Sequence, residues 1–206
     1  MGIGSVLSFV GGGKTTVWGT GLMNEYCASV LKHPYKHVVL DIRAVRGPLT
    51  RKSLIDVGFS CPAIYGDPAI LLPIYYFPDV YKENGKLVII PHHSKLDKYK
   101  KKYNTVLDTY TDDWKSFVNE IISAEKVISS SLHGIILAES YGVPCVWLND
   151  IPDSPFKYED YYLSTGRNIF PLVNNVEEGI IRNGEINLNL KKMQEDLLKS
   201  FPFDIL

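Results

Sequence analysis

The chain has 206 residues, of which 45% are hydrophobic and 22% charged, with a formal net charge of −1. That is enough apolar material for one large domain or two small ones, and it lacks the basic surplus of a dedicated nucleic-acid binder. Cys27, Cys61 and Cys145 are an odd, widely spaced set without a CxxC pair, which argues against a disulfide or zinc framework and points to a reducing compartment.

The N-terminus carries no basic segment followed by an apolar run, and no window reaches the roughly 18 apolar residues of a membrane span. A soluble, cytoplasmic protein is expected. The first motif is Val10-Gly11-Gly12-Gly13-Lys14-Thr15-Thr16. A phosphate-binding loop needs G-x-x-x-x-G-K-[ST] after a strand, with its lysine opening a helix. Here the first glycine would fall on Ser8, and the strand signal, Thr15-Thr16-Val17-Trp18-Gly19, follows the glycines. The glycines therefore read as a turn before a strand, and Gly19, Thr20 and Gly21 at its end are expected to border a cleft.

A helix is expected over Asn24–Leu31 and then a strand, KHVVLDI, over 36–42. The next turn carries Arg43 and Arg46, and Gly47-Pro48 opens a helix predicted over Pro48–Val57, with proline at the position that has no N–H to leave unpaired. A helix start beside a guanidinium is a ready anion site. Arginines at strand ends serve equally well as salt-bridge partners. Asp67-Pro68 is a cap pair for a short apolar helix. Leu72-Pro73-Ile74-Tyr75-Tyr76-Phe77-Pro78 frames an aromatic stretch with two prolines, and a domain boundary is placed after it.

Strand KLVIIP ends on Pro91-His92-His93, two histidines with no acidic partner at ligand spacing, so no metal site is expected. NTVLDTY, over 104–110, reads as another strand. In the helix predicted over Asp112–Ala124, Trp114, Phe117, Val118, Ile121 and Ile122 form one apolar stripe that should face a core. KVISSS then runs into a helix over Leu132–Tyr141, closed by Gly142. Ser129, Ser130 and Ser131 can cap that helix, Leu132 and His133 lie in its first turn, and its N–H groups can hold an anion. A histidine there can donate to the anion or shuttle a proton, or it can be a plain half-buried residue. PCVWLN is the next strand. FKYEDYY carries Lys157, Asp160 and Tyr161, fit for closing a site, for sugar contact or for structure. A last helix is predicted over Leu188–Ser200. Strands alternating with helices give an α/β fold with a mostly parallel sheet.

Taken in order, VWGTG, VRGPLT, GDPAILLP, PHH and SSLHGIILAESYGVP resemble the polysaccharide pyruvyltransferase family over nearly the whole chain. The resemblance implies two Rossmann-like halves in the GT-B style, with boundaries at 1–78 and 79–206 and the first half incomplete. It also implies transfer of the enolpyruvyl unit of phosphoenolpyruvate onto two hydroxyls of one sugar, with a cyclic pyruvate ketal formed and phosphate released, in bacterial exopolysaccharide or capsule synthesis. No cofactor is implied. The acceptor would be a glycan or lipid-linked oligosaccharide, which allows peripheral membrane association. His133 and Arg46 would be catalytic. Ser129, Ser130, Ser131, Leu132, Arg43 and Gly47 would bind the donor. Gly19, Thr20, Gly21, Asp67, His92, His93, Lys157, Asp160 and Tyr161 would line the acceptor side, and Arg167 could help with donor charge. Ser131 stands where family members often carry arginine, and family members usually have further N-terminal sequence. A sugar-nucleotide glycosyltransferase and a non-catalytic subunit of a glycan pathway are the alternative readings.

Overall fold

Every strand pairing among the described residues is parallel, as short apolar runs separated by helices dictate. The computed structural model describes residues 1–32, 37–151, 154–184 and 188–205. Its elements in chain order are β1 (Gly13–Trp18), β2 (Val38–Ala44), α1 (Pro48–Asp56), α2 (Leu72–Tyr75), β3 (Leu87–Ile90), α3 (Leu96–Lys100) and α4 (Trp114–Ser123). There follow β4 (Lys126–Ser129), α5 (Leu132–Ser140), β5 (Cys145–Leu148), α6 (Phe156–Ser164), β6 (Leu172–Val173), α7 (Val176–Ile181) and α8 (Lys191–Lys199).

Several expectations are corrected. The segment 104–110 makes only an isolated bridge, Val106 to Ile89, because Asp108 accepts from the Tyr110 amide and turns the chain away from the sheet. Glu25–Lys32 is a 3₁₀ helix rather than an α-helix. Its first turn is tightened by the Asn24 side chain, which accepts from the Tyr26 and Cys27 amides. Trp114 is 45% exposed, so the core stripe of α4 reduces to Val118 and Ile121 with partly buried neighbours. Lys36, the first residue of the expected second strand, lies outside the described residues. Helices α6 and α7 and strand β6 were not expected.

The chain forms two compact units. The first comprises Met1–Ile70, Asp153–Asn168 and Asn189–Leu206; the second comprises Leu71–Pro152 and Ile169–Leu188. The expected division at 78/79 is corrected, since the chain leaves the first unit at Ile70 and returns to it twice. The returns are held by packing and hydrogen bonds. Phe156 of α6 is buried in the core formed by Leu7, Val17, Leu22, Val45 and Leu54. The Trp18 indole donates to the Leu197 carbonyl at 2.9 Å and Gln194 donates to the Ile70 carbonyl at 2.8 Å, which fixes α8. The sheet of this unit is β1 beside β2, with a register shift between Val17 and Trp18. The glycine run leads into β1, so Lys14 sits on a strand beside Val39 rather than at the start of a helix.

In the second unit the sheet order is β3-β4-β5-β6. Alternation assigns Ile89, Ile128, Val146 and Leu148 to one face, where they pack with Tyr99, Val173 and Val176. Helix α7 lies on that face: a Cβ on Gly179 would come within 2.7 Å of Ile128 Cδ1. Helix α5 lies on the other, where a Cβ on Gly134 would meet Ser129 Oγ at 2.5 Å. Only glycine permits this close approach of α5 to β4. Because the strands are parallel, the segments after β3, β4 and β5 all leave from one edge of the sheet, the usual place for a ligand.

At the start of α7, Glu177 accepts from Lys102 Nζ at 2.7 Å and from the Tyr103 hydroxyl at 2.9 Å. The Lys102 hydrogen bond, with the backbone and Tyr103 helping, lowers its carboxyl from 4.5 to about 2. A depressed folded-state pKa stabilises above the unfolded value and loses that contribution as pH falls through the folded one. The second unit should therefore weaken between pH 4.5 and about 2, and Glu177→Gln should flatten this part of the profile. Unfolding midpoints measured across that window check the expectation.

Candidate functional site

Two corners were expected to hold anions, one in each unit. In the first, β2 ends at Ala44 and α1 begins at Pro48 with Gly47 as its N-cap. The anion at this helix start is the carboxylate of Asp160, from α6. Its Oδ1 accepts from the Leu49 and Thr50 amides at 2.8 and 3.0 Å, and its Oδ2 accepts from the Thr50 hydroxyl at 2.7 Å and from Arg46 Nε at 3.0 Å. Both partners of the Arg46–Asp160 pair are 0% exposed. Arg46 also donates through Nη1 to Ser5 Oγ at 2.5 Å and through Nη2 to the Leu22 carbonyl at 2.6 Å.

The glycines around this pair give it room. A Cβ on Gly47 would collide with the Asp160 backbone, and one on Gly21 would collide with the Arg46 guanidinium. Gly19, at φ +89°, leaves no space beside Pro68 and the Gly66 carbonyl. Thr20 is buried, and its hydroxyl donates to the Gly4 carbonyl at 2.7 Å.

These contacts give Arg46, Gly47, Gly19, Thr20, Gly21, Asp160 and Tyr161 structural surroundings that the sequence did not announce. Each is part of an internal network or core of the first unit, where the helix dipole and guanidinium are matched by an internal carboxylate. Asp67 is buried too, and its Oδ1 accepts from the Ala69 amide at 3.0 Å, capping the short turn that follows. Arg43 forks onto Asp41 at 2.7 and 2.9 Å and reaches Asp204 at 2.8 Å. Its hydrogen bonds hold both carboxyls below their usual range. Arg167 donates to Thr165 Oγ1 at 2.8 Å and stacks 4.3 Å over the Tyr162 ring. Lys157 is half-buried, 5.1 Å over the Tyr158 ring.

In the second unit the expected corner is built as a strand-to-helix turn. Ser131 is the N-cap of α5 and accepts from the Gly134 amide at 3.4 Å, a bond worth about 1 kcal/mol in such positions. This cap is the local role of Ser131. Ser129 Oγ accepts from the Ser131 amide at 3.0 Å, and its single proton is shared between the Ile90 and Ser131 carbonyls at 3.1 and 2.9 Å. Leu132 is buried and anchors the turn, while His133 is half-buried in the first turn of α5.

The Ser130 hydroxyl accepts from the His92 amide at 2.8 Å, so the PHH loop and the serine corner are joined. His92 Nδ1 accepts from the Ser94 amide at 3.3 Å, which leaves the ring proton on Nε2. The His92 and His93 rings lie 4.0 Å apart, and among the described residues no group of three His, Cys, Asp or Glu is placed to hold a metal ion.

The same sheet edge carries a residue not anticipated. Asp150, two residues beyond β5, accepts from the Tyr99 hydroxyl at 2.6 Å and pairs with Lys95 at 3.4 Å, with its side chain 8% exposed. No described residue donates to its Oδ1. The signal was available: an acidic residue just past an apolar strand, on the edge already marked by the histidines. Burial, reinforced by the hydrogen bond to Asp150, pushes the Tyr99 phenol up and keeps it a donor. The edge thus combines serine hydroxyls, a helix N-terminus, imidazoles, an amine and a carboxylate. That set can bind an anion and move protons.

A family model described as polysaccharide pyruvyl transferase matches residues 10–150. An uncharacterized protein of Acanthamoeba polyphaga mimivirus, L143, is 30% identical over 164 residues, covering 72% of this chain and 54% of that protein. The chain therefore spans about half the length of the relative it matches. No solved structure matches. Among the described residues no helix is long and apolar enough to cross a membrane.

Proposed function

The chain belongs to the polysaccharide pyruvyl transferase family, and on that premise we propose that it transfers a pyruvyl unit from phosphoenolpyruvate to a glycan. The observation that carries the reading is the sheet edge of the second unit, where Ser129–His133 and His92-His93 are joined by the Ser130 hydroxyl. In this reading the α5 start and its serines hold the donor's anionic groups, and Lys95 supplies positive charge at that edge. A sugar hydroxyl attacks C2 of the donor while His133 protonates the C3 methylene. A second hydroxyl then attacks C2, its proton passes to a base, phosphate leaves, and the cyclic ketal closes. His93 is the base for the acceptor hydroxyls, because the acceptor nitrogen of His92 is engaged by Ser94. A pair of Rossmann-like halves in the GT-B style belongs to the same proposal.

In this reading donor binding needs only the second unit, which is supported by the ion pairs that engage Arg46 and Arg43 within the first. That observation, together with Ser131, favours a second reading as a non-catalytic glycan-binding relative. Calorimetry with phosphoenolpyruvate separates the two. The transferase reading expects saturable binding within the ordinary enzyme range of about 1 μM–1 mM, and phosphate release once a glycan acceptor is added. Absence of any heat with phosphoenolpyruvate sinks it, and heat with a sugar nucleotide instead identifies a glycosyltransferase.

A further inference from the structure

The Leu72–Pro78 stretch does not disappear into a core. Phe77 is 79% exposed, Tyr75 73% and Trp114 45%. The rings are nevertheless fixed. Tyr76 meets Trp114 edge-on, with centroids 5.0 Å apart and planes at 70°. Phe77 lies over Tyr141 at 6.3 Å and 29°, so one ring face is backed and the other is left to solvent. The Tyr76 hydroxyl donates to Asn119 Oδ1 at 2.9 Å, and the Tyr141 hydroxyl donates to the Tyr76 carbonyl at 2.6 Å. Lys115 Nζ stands 5.9 and 5.7 Å from the Tyr76 and Trp114 centroids. All of these residues lie in the second unit.

A contiguous, ordered aromatic surface of this kind marks a binding site rather than ordinary scatter of apolar residues. Its rings are already held by their neighbours, so little side-chain entropy remains to be lost on binding. The rim is polar: hydroxyls, an amide and an ammonium border the rings. The exposed charges beside it in sequence are mixed and net acidic, with Asp79, Glu83, Asp112 and Asp113 against Lys82 and Lys115. That balance repels an anionic lipid surface, which recruits clusters of basic residues. A pyranose ring fits it, because an apolar C–H face stacks on an aromatic ring while the hydroxyls at its edge meet carboxylates, amides and phenols.

We propose that Tyr76, Phe77, Trp114 and Tyr141 form a stacking platform for sugar rings of a glycan chain, apart from the residues that carry the chemistry. Tyr141 follows the last turn of α5 and His133 lies in its first, eight residues and roughly 12 Å apart along a helix. A glycan held at the platform would engage the protein through sugar units other than the one at His133. The inference rests on the reading that the chain acts on a polysaccharide, and it specifies an oligomeric acceptor rather than a single sugar.

Affinity electrophoresis of the full chain through gels containing dextran, mannan, xylan or arabinogalactan tests the platform without requiring turnover. Retardation by at least one polymer is expected, with apparent affinity falling about tenfold or more in Phe77→Ala and Trp114→Ala. The variants should keep the wild-type unfolding midpoint, since both side chains are substantially exposed. Absence of retardation in every gel, or retardation the variants retain, overturns the proposal. So does flotation with phosphatidylcholine–phosphatidylglycerol vesicles that the variants lose, which would assign the surface to a membrane, or self-association in sedimentation that they lose. Phosphoenolpyruvate calorimetry on the same variants is expected to be unchanged, so loss of the platform and failure of the transferase reading give different results.

Discussion

Asp160→Ala should destabilise the first unit by about 3–5 kcal/mol, the usual consequence of removing one partner from a buried ion pair. The reason is visible in the geometry. Asp160 receives four hydrogen bonds, from two amides of α1, the Thr50 hydroxyl and Arg46. Its loss leaves a guanidinium at 0% exposure without a counter-charge and uncaps α1 in the same step. Arg46→Ala should cost a similar amount, because the carboxylate is then the uncompensated group. Replacing both with apolar residues of similar volume, Arg46→Met with Asp160→Leu, should cost less than the two single changes added together. Chemical denaturation of the four proteins gives the coupling directly. Single variants that lose under 1 kcal/mol, or a strictly additive double variant, would show that the pair is not the organising contact described above.

This pair also shows what a sequence can and cannot disclose. The strand-turn-helix grammar around Arg46-Gly47-Pro48 announced an anion site, and there is an anion at that helix start. Its source could not be read, because Asp160 is 114 residues away and lies on a helix whose only local signal was an aromatic-rich FKYEDYY run. The parallel α/β order was legible from apolar runs and caps, since both are local. The serine corner was legible for the same reason: Ser131, Leu132, His133 and Gly134 do their work within one turn. The position of Asp150 just past β5 was a local signal as well. Its role and the aromatic surface were not legible, because the first depends on Lys95 and on Tyr99 of α3 arriving from the segment after β3. The second depends on Trp114 facing solvent in a helix whose periodicity placed it with the core. Periodicity identifies a face; tertiary packing decides how much of that face is covered.

His133→Ala should lower the rate of phosphate release from phosphoenolpyruvate by about 10²–10⁴-fold, the range by which a positioned acid or base assists such a step. The loss should fall on kcat, since protonation of C3 occurs only in the transition state. Donor affinity measured by calorimetry should change far less, because the serines and main-chain N–H groups at the start of α5 stay in place. A structural role would behave differently. His133 is half-buried on a short helix, and a packing defect there would lower the unfolding midpoint and weaken donor binding together with activity. His92→Ala supplies the contrast. Its imidazole caps a turn through Ser94, so its removal should loosen the PHH loop and raise the acceptor KM, with a smaller effect on kcat. If His133→Ala keeps near wild-type turnover while His92→Ala or His93→Ala abolishes it, the proton donor is in the PHH loop. The start of α5 then serves only to hold the phosphate and carboxylate.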